Sequence, residues 1–242
     1  MLVLLRKELS TFFSSAMGYI VIGVFLLITS LFLWVFKGNY NIIENGYANV
    51  DGLFIMAPML YLFLVPALTM RLIAEEKRTG TLELLLSHPI SRLSIVLSKY
   101  FAGLILVIIS LVPTLIYVTS VYWMGDPVGN MDMGGTWGSY IGLVFLAGVY
   151  VAVGVFASSI TDNQIIAFIV SAVLSASFYY GFDLLSMLSN SGATQNLISS
   201  FGISAHYESM SRGVIDSRDV MYFLAVITLF VVATKTVIEK KE

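Results

Sequence analysis

The sequence predicts an all-α, polytopic membrane protein with six transmembrane helices, and three observations carry that expectation. Of its 242 residues 58% are hydrophobic and only 12% are charged, against about 25% charged in a soluble domain. The chain has too few polar groups to cover a water-exposed globule, so lipid is its expected solvent. The apolar residues gather into six runs, each about long enough to cross a bilayer, and the basic residues gather into alternate connections between those runs.

The chain opens with MLVLLRKELSTFFSS. Leu2, Leu5, Leu9, Phe12 and Phe13 recur at helical spacing, with Arg6, Lys7, Ser10 and Thr11 opposite. That pattern predicts an amphipathic helix over residues 1–16, lying in the membrane interface. The first span is expected at about 17–36, too long for a signal-peptide core of roughly 7–15 residues. The others are expected at about 53–73, 93–124, 137–160, 165–188 and 220–238. The third is long enough to begin before it enters lipid. The sixth is the weakest, with 15 uncharged residues between Asp219 and Lys235, about 22 Å of helix, which a snorkelling Lys235 extends. Pro58, Pro66 and Pro113 fall inside spans two and three, where kinks are tolerated. Gly138 and Gly142, Gly154 and Ser158, and Ala167, Ser171 and Ser175 each fall at four-residue spacing. Such stripes let helix backbones approach closely in lipid, although small residues are also ordinary content of membrane helices. No composition shift divides the chain, so one membrane domain covers residues 1–242.

Orientation follows from the bases. With the N-terminus inside, the inner face holds Arg6, Lys7, Arg71, Lys77, Arg78, Arg92, Lys99, Lys235, Lys240 and Lys241, and the outer face Lys37, Arg212 and Arg218. Both termini are therefore expected in the cytoplasm. Trp34, Trp123 and Trp137 all fall at expected outer ends of spans, where interfacial aromatics belong.

Absences narrow the function. There is no Cys and only two His, so neither a Cys-ligated metal nor a His-built site is expected. The chain has no G-x-x-x-x-G-K-[ST], no H-E-x-x-H and no G-x-S-x-G. No catalytic residue, metal or cofactor is expected on this chain, and a net charge of −2 offers nothing to nucleic acid. The spans also read as free of buried ionisable residues, which ion-coupled transporters place inside the bundle. Asp183, near the outer end of span five, is expected to be solvated. What remains is a membrane pathway without an engine, which implies a partner that drives it. A scaffold that anchors a motility or secretion machine without transporting anything fits the same residues.

The engine's attachment is expected at residues 74–92, AEEKRTGTLELLLSHPISR. Gly80 is suited to a left-handed turn that ends the helix continuing from span two. Thr81 is then a natural N-cap, with Glu83 in the first turn. Leu82, Leu84, Leu85 and Leu86 form an apolar stretch, His88 and Pro89 stop it, and Ser91 caps the next helix. A separate short helix of this kind either docks its leucines in a partner's groove, with Glu75, Glu76, Lys77 and Arg78 setting orientation by charge, or lies in the lipid interface. Beyond span five, residues 189–218 are expected to hold two short re-entrant or interfacial helices, Gln195–Phe201 and Ile203–Ser211, with His206, Glu208, Arg212 and Asp216 at their polar edge.

Taken together these residues resemble the type-2 ABC transporter permeases, the ABC-2 membrane family, over the whole chain. LRKEL (Leu5–Leu9), EEKRTGTLELLLSHPIS (Glu75–Ser91) and RGVIDSRD (Arg212–Asp219) carry the resemblance. GYIVIGVFLL (Gly18–Leu27), NYNIIENGYANVDGLF (Asn39–Phe54), GDPVGNMD (Gly125–Asp132), FASSITDNQIIAF (Phe156–Phe168) and HYESMSRGVIDSRD (His206–Asp219) are similar to the gliding-motility permeases within that family. The resemblance implies a bacterial cytoplasmic-membrane subunit with a coupling helix at Thr81–His88. It implies a pathway built from two permease chains, a homodimer or a pair with a second membrane subunit. ATP and magnesium are then held by a separate cytoplasmic ATPase.

Overall fold

The computed structural model describes residues 1–189 and 191–240; Lys241, counted above among the inner bases, lies outside them. Every regular element among the described residues is helical. Helix α1 (Leu2–Ser14) leads at Ser15 into α2 (Ala16–Val35). After a single turn at Ile42–Asn45 come α3 (Asp51–Thr69) and two short helices, α4 (Ala74–Arg78) and α5 (Thr81–Leu86). Then follow α6 (Arg92–Met124), α7 (Met133–Ile160) and α8 (Gln164–Ser186). Helices α9 (Gly192–Ser199) and α10 (Ile203–Ser211) precede α11 (Ser217–Glu239). Six helical stretches are long and apolar enough to cross a membrane: α2, α3 with α4, α6, α7, α8 and α11. Lys7 of α1 meets Glu76 of α4, and Ile238 of α11 shares a cleft with Leu82 of α5. Both chain ends therefore lie on one face of the bundle, here called the terminal face.

Several spans start earlier than their apolar runs because a polar residue caps them. Asp132 accepts from Gly135 N, and α7 begins at Met133 rather than Trp137. Asp216 accepts from Arg218 N, and α11 begins at Ser217 rather than Val220. Asn163 and Ser91 cap α8 and α6 in the same way. Each side-chain oxygen satisfies a first-turn N–H that has no helical partner.

Helix α7 is the axis of the bundle. Within its membrane window 78% of the residues are buried, against 28% for α2, 33% for α11 and 17% for α8. Its small residues mark where neighbours come closest. A Cβ on Gly154 would overlap the Thr69 hydroxyl and lie 2.7 Å from Thr69 Cβ. A Cβ on Gly142 would lie 2.7 Å from Met210 Cβ, and one on Gly138 2.7 Å from Gly213 Cα. The first stripe thus seats α3, and the second seats α10 and the turn after it. In α6, Pro113 falls in a tighter turn at Val112–Thr114, where the Thr114 and Tyr140 hydroxyls lie 2.8 Å apart and tie the kink to α7.

Gly154→Ala is expected to overpack this crossing and cost about 1–3 kcal/mol. Thermal unfolding in detergent reads the loss. Gly23→Ala, where a Cβ meets nothing within 4 Å, is expected to leave the midpoint unchanged.

Candidate functional site

The site begins where α3 stops. The chain leaves the helix after Thr69, turns through residues 70–73 and resumes as α4. Leu72, Ile73 and Ala74 are all buried, so the backbone groups freed by the turn have no water to meet. One hydroxyl from α7 takes three of them. Ser158 Oγ accepts from Ile73 N at 3.0 Å and from Ala74 N at 2.9 Å, and donates to Met70 O at 2.9 Å. That exhausts the single proton and two lone pairs of a serine. A fourth group, Leu72 O, accepts from Lys99 Nζ of α6 at 2.6 Å. The break is thereby a fixed corner.

Past the corner, α4 runs one turn. Gly80 adopts φ 71° and ψ 4°, the left-handed conformation that glycine alone enters without penalty, and the chain re-enters helix as α5. Gly80 itself occupies the N-cap position. Thr81 is the first helical residue, and its hydroxyl reaches Thr79 and Glu76 O rather than capping the helix. The expected Thr81 cap is corrected accordingly. The four leucines divide. Leu82 is buried against the bundle, Leu85 and Leu86 are half-buried, and Leu84 stands 66% exposed. Glu83, His88 and Pro89 are exposed, with His88 Nδ1 2.8 Å from Leu84 O. Clefts flank α5 on both sides. One of about 390 Å³ lies between α5, the α7–α8 turn (Thr161, Asp162) and Ile238. One of about 310 Å³ lies between α5 and α1, lined by Leu4, Lys7, Leu84, Leu85 and His88.

The charges of EEKR do not all face outward. Glu75 and Arg78 form an exposed pair at 3.8 Å. Lys77 turns to the Ser159 carbonyl at the end of α7. Glu76 turns inward, 2.7 Å from Lys99 Nζ and 3.1 Å from Lys7 Nζ. Lys99 also pairs with Glu8 of α1 at 3.0 Å, and its side chain is 1% exposed. Lys7 stands 4.0 Å from Glu8. Two lysines and two glutamates thus alternate around a closed ring joining α1, α4 and α6. The expectation that the spans carry no buried ionisable residue is overturned here, because Lys99 lies on the buried face of α6. The signal was present in the sequence. Lys99 shares the inward stripe with Val96, Ala102 and Gly103, and Glu8 shares the stripe of Leu5 and Phe12, so opposite charges stand on two apolar faces. Arg71 adds a second tie to α1, donating to Ser15 Oγ at 2.9 Å and lying 4.2 Å over the Phe12 ring.

On the opposite face, the segment before α11 is pinned to the bundle. Tyr207 OH donates to Phe54 O at 2.7 Å. Burial, with Tyr179 and Tyr61 nearby, pushes the Tyr207 pKa well above its ordinary value and keeps it a donor. His206 Nδ1 lies 2.7 Å from Asp219 Oδ1 and its Nε2 2.9 Å from Ser200 O, with the ring stacked on Tyr222. His206 is therefore tied into the fold rather than standing at an open edge. Glu208 and Arg212 form an exposed ion pair, and Asp216 is the cap of α11. Asp183, expected to be solvated, accepts from Ser204 Oγ at 2.6 Å and binds α8 to α10. The first short helix begins at Gly192, three residues before the expected Gln195. Among the described residues no three His, Cys, Asp or Glu side chains are grouped to hold a metal ion.

A helical bundle with six membrane-crossing segments, and a broken span that carries a short helix beyond the bundle, defines a multi-pass membrane component. The sequence matches the ABC-2 family transporter protein profile over residues 2–240, and the chain belongs to that family, as the permease component of an ABC transporter. A comparison with curated proteins finds no match.

Ser158→Ala is expected to strand two N–H groups and one carbonyl at the corner and to cost about 1–3 kcal/mol. Hydrogen exchange is expected to rise at residues 70–78 while the halves of α6 and α7 far from the terminal face stay protected.

Proposed function

We propose that this chain is the membrane-spanning permease subunit of a gliding-motility ABC complex, of the GldF kind. Its companions are a GldA-like cytoplasmic ATPase and either a GldG-like membrane subunit or a second copy of this chain. The terminal face is the cytoplasmic one, in a bacterial inner membrane. Its surplus of Lys and Arg supports that orientation. ATP and magnesium stay on the ATPase, and this chain performs no covalent chemistry.

The observation that carries the reading is the form of α5. A two-turn helix is held off the bundle by a clamped corner, with Leu82 anchored inward and Leu84 facing out. In this proposal Glu75 and Arg78 flank the docked helix, while Glu83, Leu84, Leu85, His88 and Pro89 contact the ATPase. Closing and opening of the ATPase domains displaces α5. The corner passes that displacement to α3 through continuous chain, to α7 through Ser158 and to α6 through Lys99. Packed helices then move as rigid bodies. By family resemblance the pathway opens between protomers near α2, α3 and α8. The low burial of α2 and α8 within this chain supports a partner chain along them.

Leu84→Glu combined with Leu85→Glu is expected to abolish co-purification of the ATPase while the permease still inserts into the membrane. Normal ATPase binding by that variant would contradict the coupling role.

A further inference from the structure

The proposed function uses α5 as the handle and leaves the N-terminal helix without a task. Helix α1 nevertheless touches the coupling region at three places. Glu8 is buried against Lys99, Lys7 bridges to Glu76, and Phe12 with Ser15 receives Arg71. The cleft between α1 and α5 takes Leu4 and Lys7 from one wall and Leu84, Leu85 and His88 from the other. The shape of the surface offered to a partner therefore depends on how α1 sits relative to α5.

Lys99 decides that relation. Its ammonium donates to Glu8 Oε1 of α1 at 3.0 Å and to Leu72 O of the corner at 2.6 Å, and it pairs by charge with Glu76 Oε2 of α4 at 2.7 Å. With 1% exposure it has no water to fall back on, so releasing any one of the three leaves a buried charge short of a partner. The two carboxylates would repel each other without it, and Lys7 completes the neutralisation from the exposed side. An all-or-none arrangement of this kind resists small sliding of α1 against α4. A hydrophobic contact would permit it.

We propose that Lys99 is a positioning residue that locks the N-terminal helix to the coupling segment, so that α1, α4 and α5 move as one lever when the ATPase displaces α5. This rests on the coupling role proposed for α5, but the lock itself is a property of the chain alone and is tested there first. The natural chain has no cysteine, so Val3→Cys on α1 and Ser87→Cys after α5, both exposed, take a pair of spin labels without further change. The distance between them is measured by pulsed electron resonance in lipid nanodiscs.

The expected result is one narrow distance in the otherwise native chain, and a broadened, shifted distribution in Lys99→Met. If Lys99→Met does not accumulate, Lys99→Met with Glu8→Gln and Glu76→Gln removes the unpaired charges and carries the same measurement, with the same broadening expected. A distribution that stays narrow in whichever variant is measured would overturn the lock. In the assembled complex, ATP is expected to leave the native Val3–Ser87 distance unchanged while altering it in the variant. A nucleotide-dependent change in the native pair would overturn the single lever, even where ATPase binding is normal. Loss of ATPase binding by the Leu84, Leu85 double variant bears only on the coupling role.

Discussion

A helix that breaks inside a packed, water-poor bundle must find new partners for every backbone group it releases. In this chain the break after Thr69 releases such groups where Leu72, Ile73 and Ala74 are shut away from solvent. Ser158 and Lys99 collect them. Everything on the terminal face hangs from that corner. It sets the direction of α4, and α4 sets where Gly80 can turn the chain into α5. Loss of either side chain would leave the corner with unpaired groups, and the short helices beyond it have too few residues to hold a direction unaided.

The same corner joins the handle to the axis. Ser158 belongs to α7, the most buried span, and sits one turn beyond Gly154, whose missing side chain admits Thr69. Close backbone approach and hydrogen bonding are thus two results of one small-residue stripe. A larger residue at Gly154 would move α3 away and carry the freed backbone groups out of reach of Ser158. The far face uses the other stripe differently. Gly138 and Gly142 admit the Met210 and Gly213 region, which seats α10 on the bundle and leaves Tyr207 to bond α3. One helix therefore organises both faces, and a displacement at the corner has a packed route through α7 to the segment before α11.

Much of this was legible in the residues. Six spans follow from apolar run length alone, and the separate short helix follows from Gly80 and the leucine run. Span ends were displaced where a cap in a polar loop, Asp132 or Asp216, extended the helix beyond its apolar stretch. The division of the leucines was not legible, because α5 is too short for a periodicity that would tell Leu82 from Leu84. The charges were misjudged for a different reason. A count of bases assigns Lys99 only to the inner side, and the EEKR run reads as orienting charges for a partner, whereas burial of Lys99 and Glu76 depends on which stripe of its own helix each occupies. A lysine on the apolar stripe of α6 and a glutamate on that of α1 together foreshadow an ion pair. Neither one does so alone. Likewise His206 reaches Asp219 only because α10 folds back on α11, a contact with no local trace.

The decisive quantity is the exposure of Leu84 on the two sides of the membrane, with and without the ATPase. Leu84→Cys would be the sole thiol in the chain, and a membrane-impermeant maleimide reads its accessibility. Labelling is expected in inverted vesicles and not in intact cells, and is expected to fall when purified ATPase is bound. Labelling from the outside of intact cells, or labelling that bound ATPase does not diminish, would contradict a handle gripped from the cytoplasm.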